Sequence, residues 1–320
     1  MEHLVIHGRP TPAGGGLAAS LERMFDVIVV GGGPAGLSAA LMLGRCRRRV
    51  LVCDLGQPRN RRSRALHGYL TRDGIAPGEF LELGRRELAQ FEVEWRSIGV
   101  TTVCRSDDRF RVTLSDGGDE DARFLLLATG VIDDLPLVPG LEECYGRSVF
   151  HCPYCDGWEW RDRRLAALGS GTNATRLALA LTAWSRNVVL CTNGAALHRR
   201  ARRWLDSNTV AVRTETIRRL SHDGGLLSAI EFEDGASVGC DALFFSTGQR
   251  PQSDIAARLG CALNTRGTVK TGTLSDTNIP RVFVAGDASR DAQFVVVAAA
   301  EGIKAALAIN KALLHEELAS

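Results

Sequence analysis

Hydrophobic and polar positions along the chain fall into two copies of one plan. Phe25-Asp-Val-Ile-Val-Val30 is an apolar run of strand length, the pattern of a strand buried on both faces. Gly31-Gly-Gly33-Pro-Ala-Gly36 follows, and Leu37, Ala40, Leu41 and Gly44 then recur at helical spacing. Arg49-Val-Leu-Val-Cys53 predicts a second buried strand and ends in Asp54. The plan returns 138 residues later without a gap in register. Gly31, Gly33 and Gly36 correspond to Gly169, Gly171 and Ala174, and residues 49–54 correspond to Asn187-Val-Val-Leu-Cys-Thr192. Residues 111–130 and 230–248 also match: each reads as a strand, an Asp-Gly turn and a closing apolar strand. They end as Leu-Ala-Thr129-Gly130 and Phe-Ser-Thr247-Gly248. Repetition at this length is an internal duplication of a domain, not a solenoid.

The glycine spacing carries chemistry. In a strand–turn–helix unit the first glycine makes the turn and the second lets backbone approach a pyrophosphate. The third lets the helix pack on the strand, and the helix N-terminus turns N–H groups toward the phosphates. Gly31, Gly33 and Gly36 fill these places, with Pro34 and Ala35 opening the helix. Asp54, 18 residues past Gly36, is placed to accept hydrogen bonds from an adenosine ribose. After Gly248, Ile279-Pro-Arg-Val-Phe-Val-Ala-Gly286-Asp287 predicts a strand ending in a turn, and residues 294–313 a helix rich in Ala and Val.

Between the two units stands Cys152-Pro-Tyr-Cys155-Asp156-Gly157. Two cysteines separated by two residues can close and open a small disulfide ring, and a helix start there would lower the attacking thiol's pKa. The chain has nine cysteines without a framework spacing, no apolar run long enough for a membrane span, and no secretory segment in residues 1–23. That combination points to a reducing cytoplasm, where one close pair is redox-active or metal-binding rather than structural. The other seven are expected in the core. Zinc on Cys144, His151, Cys152 and Cys155 is the competing reading; it lacks a second Cys-x-x-Cys or His pair and no metal is expected. Net charge of +2 gives no reason to expect nucleic acid. The Arg runs at 45–49, 59–64 and 199–203 read as solvated faces and loop rims, and Trp158 and Trp160 as core packing. Residues 1–24 read as a flexible leader, with Met24 an alternative start.

With these motifs in this order, residues 25 to about 313 resemble the low-molecular-weight thioredoxin reductases and their relatives. The resemblance implies an α/β fold of two Rossmann-like, FAD- and NAD(P)-binding domains, the second inserted into the first. Residues 25–135 and 250–320 would bind FAD, and residues 136–249 would form an NAD(P)H-binding-like domain carrying the Cys-x-x-Cys. It implies FAD on Gly31, Gly33, Pro34, Ala35, Gly36, Asp54, Thr129 and Gly130. Gly286 and Asp287 would serve its ribityl chain, and Gln293 and Phe294 its ring. Cys155 would lie nearest the flavin, Cys152 would exchange with the outside disulfide, and Asp156 would act as general acid or base. Gly169 and Gly171 would keep the second phosphate turn. Thioredoxin or a similar disulfide would be the partner, and the assembly a homodimer.

The chain departs from that family where NADPH would be gripped. The reductases carry a His-Arg-Arg stretch after the second strand, whereas Cys191-Thr192-Asn193-Gly194 stands here, with His198, Arg199 and Arg200 a few residues on. The segment His67-Gly-Tyr-Leu-Thr-Arg-Asp-Gly74 looks more like a reductase-like branch that includes dithiol oxidases of natural products, although Asp156 matches the reductases. Three electron routes stay open: from NAD(P)H, from a protein such as ferredoxin, or outward from a dithiol to oxygen. A non-catalytic flavin-binding protein would show a lost cysteine or a broken FAD motif, and neither occurs.

Overall fold

The structure is a computed structural model, and it describes residues 24–106, 108–246, 248–265, 267–289 and 292–319. The leader before Met24 and Thr247 of the second Thr-Gly pair lie outside the described residues. β1 (Phe25–Val30), α1 (Pro34–Arg45) and β2 (Val50–Cys53) form the first βαβ unit. α2 (Pro77–Leu88) and β3 (Val93–Arg96) follow, then β4 (Val100–Arg105), β5 (Phe110–Leu114) and β6 (Asp119–Leu127) as a meander. β7 (Val131–Asp133) leaves this sheet. The second unit holds α3 (Leu141–Cys144), β8 (Val149–Phe150), α4 (Pro153–Asp156), β9 (Leu165–Leu168), α5 (Gly171–Leu181), β10 (Val188–Cys191), α6 (Arg199–Ser207) and β11 (Ala211–Arg213). β12 (Ile217–Asp223), β13 (Leu226–Phe232), β14 (Ser237–Gly239) and β15 (Ala242–Phe245) complete it. β16 (Gln249–Pro251), α7 (Ile255–Arg258), β17 (Val282–Val284) and α8 (Val295–Ala319) end the chain.

β6 organises the first sheet, whose order is β3-β2-β1-β6-β5-β4. β1 runs parallel along one edge of β6; β5 at residues 119–122 and β17 at residues 125–127 take the other. The last segment therefore returns to the first sheet after the second domain is complete. α8 then lies on α1, where Ala305, Ala306 and Ile309 share a core with Ala39, Ala40 and Leu43. The approach is close enough that a Cβ on Gly302 would stand 2.0 Å from the Ala35 carbonyl oxygen. Each Leu or Ile buried in such a core stabilises the fold by ~1.5–3 kcal/mol. The helix runs six residues past the expected end because Leu313 stays buried and Glu316 and Glu317 are held by Arg123.

The second domain repeats the plan as an all-parallel sheet, β11-β10-β9-β15-β8. The duplication is imperfect in one place. The nine residues of β6 run unbroken, but their counterpart splits into β14 and β15 at Cys240-Asp241, where Asp241 accepts from the Arg164 backbone and side chain. The β12-β13-β14 hairpins thus form a sheet of their own. The two crossings between domains, β7 and β16, pair antiparallel with Asp133 opposite Gln249. Among the described residues no helix is long and apolar enough to cross a membrane.

Candidate active site

The first glycine-rich turn is shaped by close contacts on one side and open space on the other. Gly31 has φ +104°, and a Cβ there would stand 2.4 Å from the Ala128 oxygen. A Cβ on Gly36 would stand 1.9 Å from the Gly31 oxygen. Gly33 has nothing within 4 Å of its missing Cβ and faces a cavity of ≈ 670 Å³. Pro34 opens α1, whose first turn carries no acid to compete with an anion at its N–H groups. Asp54 closes the turn by accepting from Gly32 N–H (3.0 Å) and Gly56 N–H (3.1 Å). Ala35, Asp54, Thr129, Gly130, Gly286, Asp287, Gln293 and Phe294 share this cavity; Gly36 lies behind it.

The dithiol reaches the same space from the second domain. Cys152 and Cys155 are joined as a disulfide with Cα atoms 5.4 Å apart, and Cys155 and Asp156 line the cavity. Cys152 does not, so the two sulfurs have different surroundings. The expected helix field is small, because α4 is a single turn over Pro153–Asp156. Gly157 leaves no room for a side chain: a Cβ would stand 2.4 Å from the Pro153 oxygen and 2.8 Å from the Trp184 ring. Burial pushes the Asp156 carboxyl up to about 7; His67 opposes this and Glu159 adds to it.

A carboxyl whose folded pKa is raised contributes stability that is fully present below the ordinary value of 3.8 and is lost as pH rises through about 7. Asp156→Asn is therefore expected to raise the unfolding midpoint above pH 7 relative to the parent while leaving it unchanged near pH 4. Thermal unfolding at both pH values checks this; equal midpoints at the higher pH would contradict the raised pKa of the carboxyl.

A polar hub joins the two domains beside the cavity. Arg59 donates to Asp287 Oδ2 (2.9 Å), to Gln293 Oε1 (2.6 Å) and to both carboxylate oxygens of Asp133. Tyr145 Oη donates to Asp133 Oδ2 (2.7 Å), and His151 Nδ1 lies 3.8 Å from the same oxygen. Burial, then the charge of Arg59, pushes His151 down to about 4, so the ring is neutral at physiological pH. Burial alone would raise Asp133, but Arg59 and Tyr145 hold it below the ordinary carboxylate value. Asp287 has one guanidinium contact, and there burial wins and raises the pKa. It is the less satisfied of the two carboxylates and retains capacity to accept from a ligand hydroxyl. Glu301, buried in α8, fixes the turn by accepting from Gly286 N–H (2.9 Å).

The model of the pyridine nucleotide-disulphide oxidoreductases matches residues 25–302. The chain belongs to this family. It is 31% identical over 281 residues to the thioredoxin reductase tcpT of Claviceps purpurea, covering 84% of this chain and 88% of that one. Among solved structures, HlmI superposes with TM-score 0.89 at 37% identity, covering 92% of this chain and 94% of its own. An oxidoreductase from Agrobacterium tumefaciens superposes with TM-score 0.86 at 35% identity, covering 91% and 99%. The protein is a flavin disulfide oxidoreductase of the thioredoxin reductase type with FAD as its cofactor. The open face at Gly33, the turned Asp54 and the incompletely paired Asp287 fit that group.

The oxidoreductase's second glycine turn is intact but stands apart from this cavity. Gly169 has φ +148° and Gly171 φ +69°, and α5 starts at Gly171. At the end of β10 the side chains are engaged by the fold itself. Thr192 Oγ1 donates to the Ala195 oxygen (2.6 Å), and Asn193 Oδ1 accepts from Ile217 N–H (2.8 Å). His198 Nδ1 accepts from Arg200 N–H (3.2 Å) and so caps α6, which makes Arg199 and Arg200 its first turn. Arg213, on the neighbouring strand, is paired with Glu215.

Three expectations are corrected. Arg48 and Arg59 are not solvated rims: Arg48 is buried against Asn310 and Glu317, and Arg59 is the interdomain hub. Trp160 packs on Phe150, but Trp158 is exposed with the Arg161 guanidinium 4.1 Å above its ring. Five of the seven remaining cysteines are buried, whereas Cys104 is exposed and Cys46 half-buried. No motif in the sequence points to Arg59, Asp133 or Tyr145. Partners 74 and 228 residues from Arg59 leave no local signal.

Proposed function

We propose that the protein passes electron pairs between FAD and the Cys152–Cys155 disulfide to reduce thioredoxin or a similar disulfide, in the cytoplasm and as a homodimer. The observation that carries this reading is Cys155 and Asp156 on the wall of the cavity that opens at Gly33. FAD supplies a two-electron carrier when bound. The N–H groups at the start of α1 would hold its pyrophosphate, Asp54 its ribose and Asp287 its ribityl chain, and Gln293 and Phe294 would serve the ring. Two electrons and two protons convert the internal disulfide to a dithiol. Cys152 then attacks one sulfur of the outside disulfide, and Cys155 attacks Cys152, releasing the outside dithiol and re-forming the internal bond. Asp156, with a pKa of about 7, gives a proton to the departing thiolate and recovers it from solvent.

NADPH is the donor these residues fit least. A 2′-phosphate calls for a forked cation, and around β10 Arg213 is paired while Thr192 and Asn193 are bonded to backbone. A protein donor such as ferredoxin, or flow from an outside dithiol to oxygen, needs no 2′-phosphate grip at β10. Anaerobic flavin absorbance during additions of NADPH, NADH and dithiothreitol tests the reading. We expect bleaching by dithiothreitol alone. Bleaching by a nicotinamide would overturn the donor assignment and keep the dithiol path; no bleaching by dithiothreitol would end the path. Oxygen uptake with a small dithiol, independent of thioredoxin, would make the protein an oxidase.

A further inference from the structure

One face of the second domain is charged in a single sense. Residues 160–205 hold nine arginines and one acid, Asp162, whereas residues 206–241 hold seven acids and three arginines. The first stretch supplies α5 and α6, and the second supplies the hairpin sheet β12-β13-β14. They cover opposite faces of the parallel sheet. Leu165 and Ala167 pack under Ala174, Ala178 and Leu205, while Ala166 and Leu168 pack under Ile217 and Ile230. α6 concentrates the charge: Arg199, Arg200, Arg202 and Arg203 are exposed, and no acid pairs with them among the described residues. Arg199 is three and four residues from Arg202 and Arg203, so like charges meet along the helix, and the set begins in its first turn, where the helix field disfavours a cation. Arg176 of α5 and Arg186 beyond it are exposed and unpaired among the described residues as well. A solvated face mixes both signs; this one carries a repulsion that an anionic partner would relieve.

The dithiol loop stands on the same face. Phe150, two residues before Cys152, and Trp160, five after Cys155, pack in the core under α5 and α6. Tyr154, between the two cysteines, is 73% exposed and stands edge-on to Trp184 just after α5, with ring centres 5.6 Å apart. Asp162 N–H donates to the Trp184 oxygen (2.8 Å), which ties the chain leaving the redox loop to the turn that carries Arg186. Leu177 of α5, next to Arg176, lines a cavity of ≈ 200 Å³ together with His151, the neighbour of Cys152.

We propose that the α5–α6 face is the docking surface for an acidic protein that brings its disulfide to Cys152. The inference rests on the dithiol exchange proposed above and names the chemistry of its partner, carboxylates beside a disulfide. Guanidinium groups fork onto carboxylates, and Tyr154 and Trp204 offer exposed rings within the charged face. Attraction of this kind raises the rate of encounter without touching the reacting sulfurs. The dithiol loop on the same face decides for a protein over nucleic acid, because a nucleic acid offers Cys152 no disulfide.

The test is single-turnover reoxidation of the FAD-loaded protein, reduced beforehand with dithionite without oxygen and followed by flavin absorbance. The oxidants are neutral hydroxyethyl disulfide and a cyclic Cys-Ala-Ala-Cys peptide bearing an arm of about ten glutamates or about ten lysines, ~33 Å when extended. Peptide rates are taken relative to hydroxyethyl disulfide in the same protein. At ~0.01 M salt the glutamate peptide is expected to react on the order of 10-fold faster than the lysine peptide, and the two should converge at ~1 M salt, where the Debye length is ~3 Å. Arg199→Gln, Arg200→Gln, Arg202→Gln and Arg203→Gln together should remove most of that preference. Removing four exposed charges from the first domain instead, by Arg45→Gln, Arg105→Gln, Lys270→Gln and Lys311→Gln, should retain it. Equal rates for the two peptides in the parent overturn the docking surface, and so does a preference that both variants lose alike. An oligothymidylate or NADPH that blocks the glutamate peptide at a lower concentration than the peptide itself needs also overturns it, and makes the face a nucleic-acid or nucleotide site. No reoxidation by any of the three disulfides overturns the dithiol reading and this inference together.

Discussion

Cys155→Ser is expected to leave FAD bound and to abolish electron exchange between flavin and dithiol. Cys155 is the sulfur on the cavity wall, and it is not one of the residues proposed to hold FAD. A serine hydroxyl cannot form the internal disulfide and is not a thiolate near neutral pH, so the two-electron couple disappears rather than weakening. Cys152→Ser should remove turnover with an outside disulfide as well, through the other partner of the same bond. The measurement is flavin absorbance for occupancy and turnover with dithiothreitol for exchange. Turnover equal to the parent in Cys155→Ser would end the proposed chemistry, whatever the electron donor proves to be.

The parts of this site legible in the sequence are those whose physics is local. The glycine turn was readable because Gly31 needs a positive φ and Gly36 tolerates no Cβ, and both requirements are met within one short unit. The duplication was readable because buried parallel strands such as Phe25–Val30 and Leu165–Leu168 are continuous apolar runs. Cys155 and Asp156 announce themselves by spacing. The polar hub is different in kind. Asp133 and Gln249 face each other only because two crossing strands pair, and Arg59 reaches both from a loop with no periodic pattern. An arginine among arginines looks solvated until its partners are known, and Trp158 looks buried until its side of the loop is known. The surroundings of β10 were legible as a missing motif. How the present residues are spent, on Ala195, Ile217 and Glu215, is a matter of three-dimensional neighbours.

Arg59→Met is expected to destabilise the protein by about 3–5 kcal/mol at neutral pH, because it strands a buried carboxylate. Asp133 is 7% exposed and Asp287 20% exposed, and the Arg59 guanidinium, itself 14% exposed, serves both. Methionine keeps much of the volume, so the loss reports charge and hydrogen bonding more than packing. Lysine should recover only part, since one ammonium cannot fork between two carboxylates. Restoring charge balance from the other side should also help: Arg59→Met with Asp133→Asn is expected to be more stable than Arg59→Met alone. The pH dependence follows from the direction of the Asp133 shift. Arg59 holds that carboxyl below its ordinary 3.8, so the stability it contributes is present above 3.8 and is lost as pH falls through the lower folded value. The gap between parent and variant is therefore widest near pH 7 and narrows below pH 4. Urea unfolding with saturating FAD at both pH values measures it, FAD being saturating so that ligand loss is not read as loss of fold. Equal midpoints at pH 7 would show that the hub bears no charge penalty and that Asp133 and Asp287 find other partners.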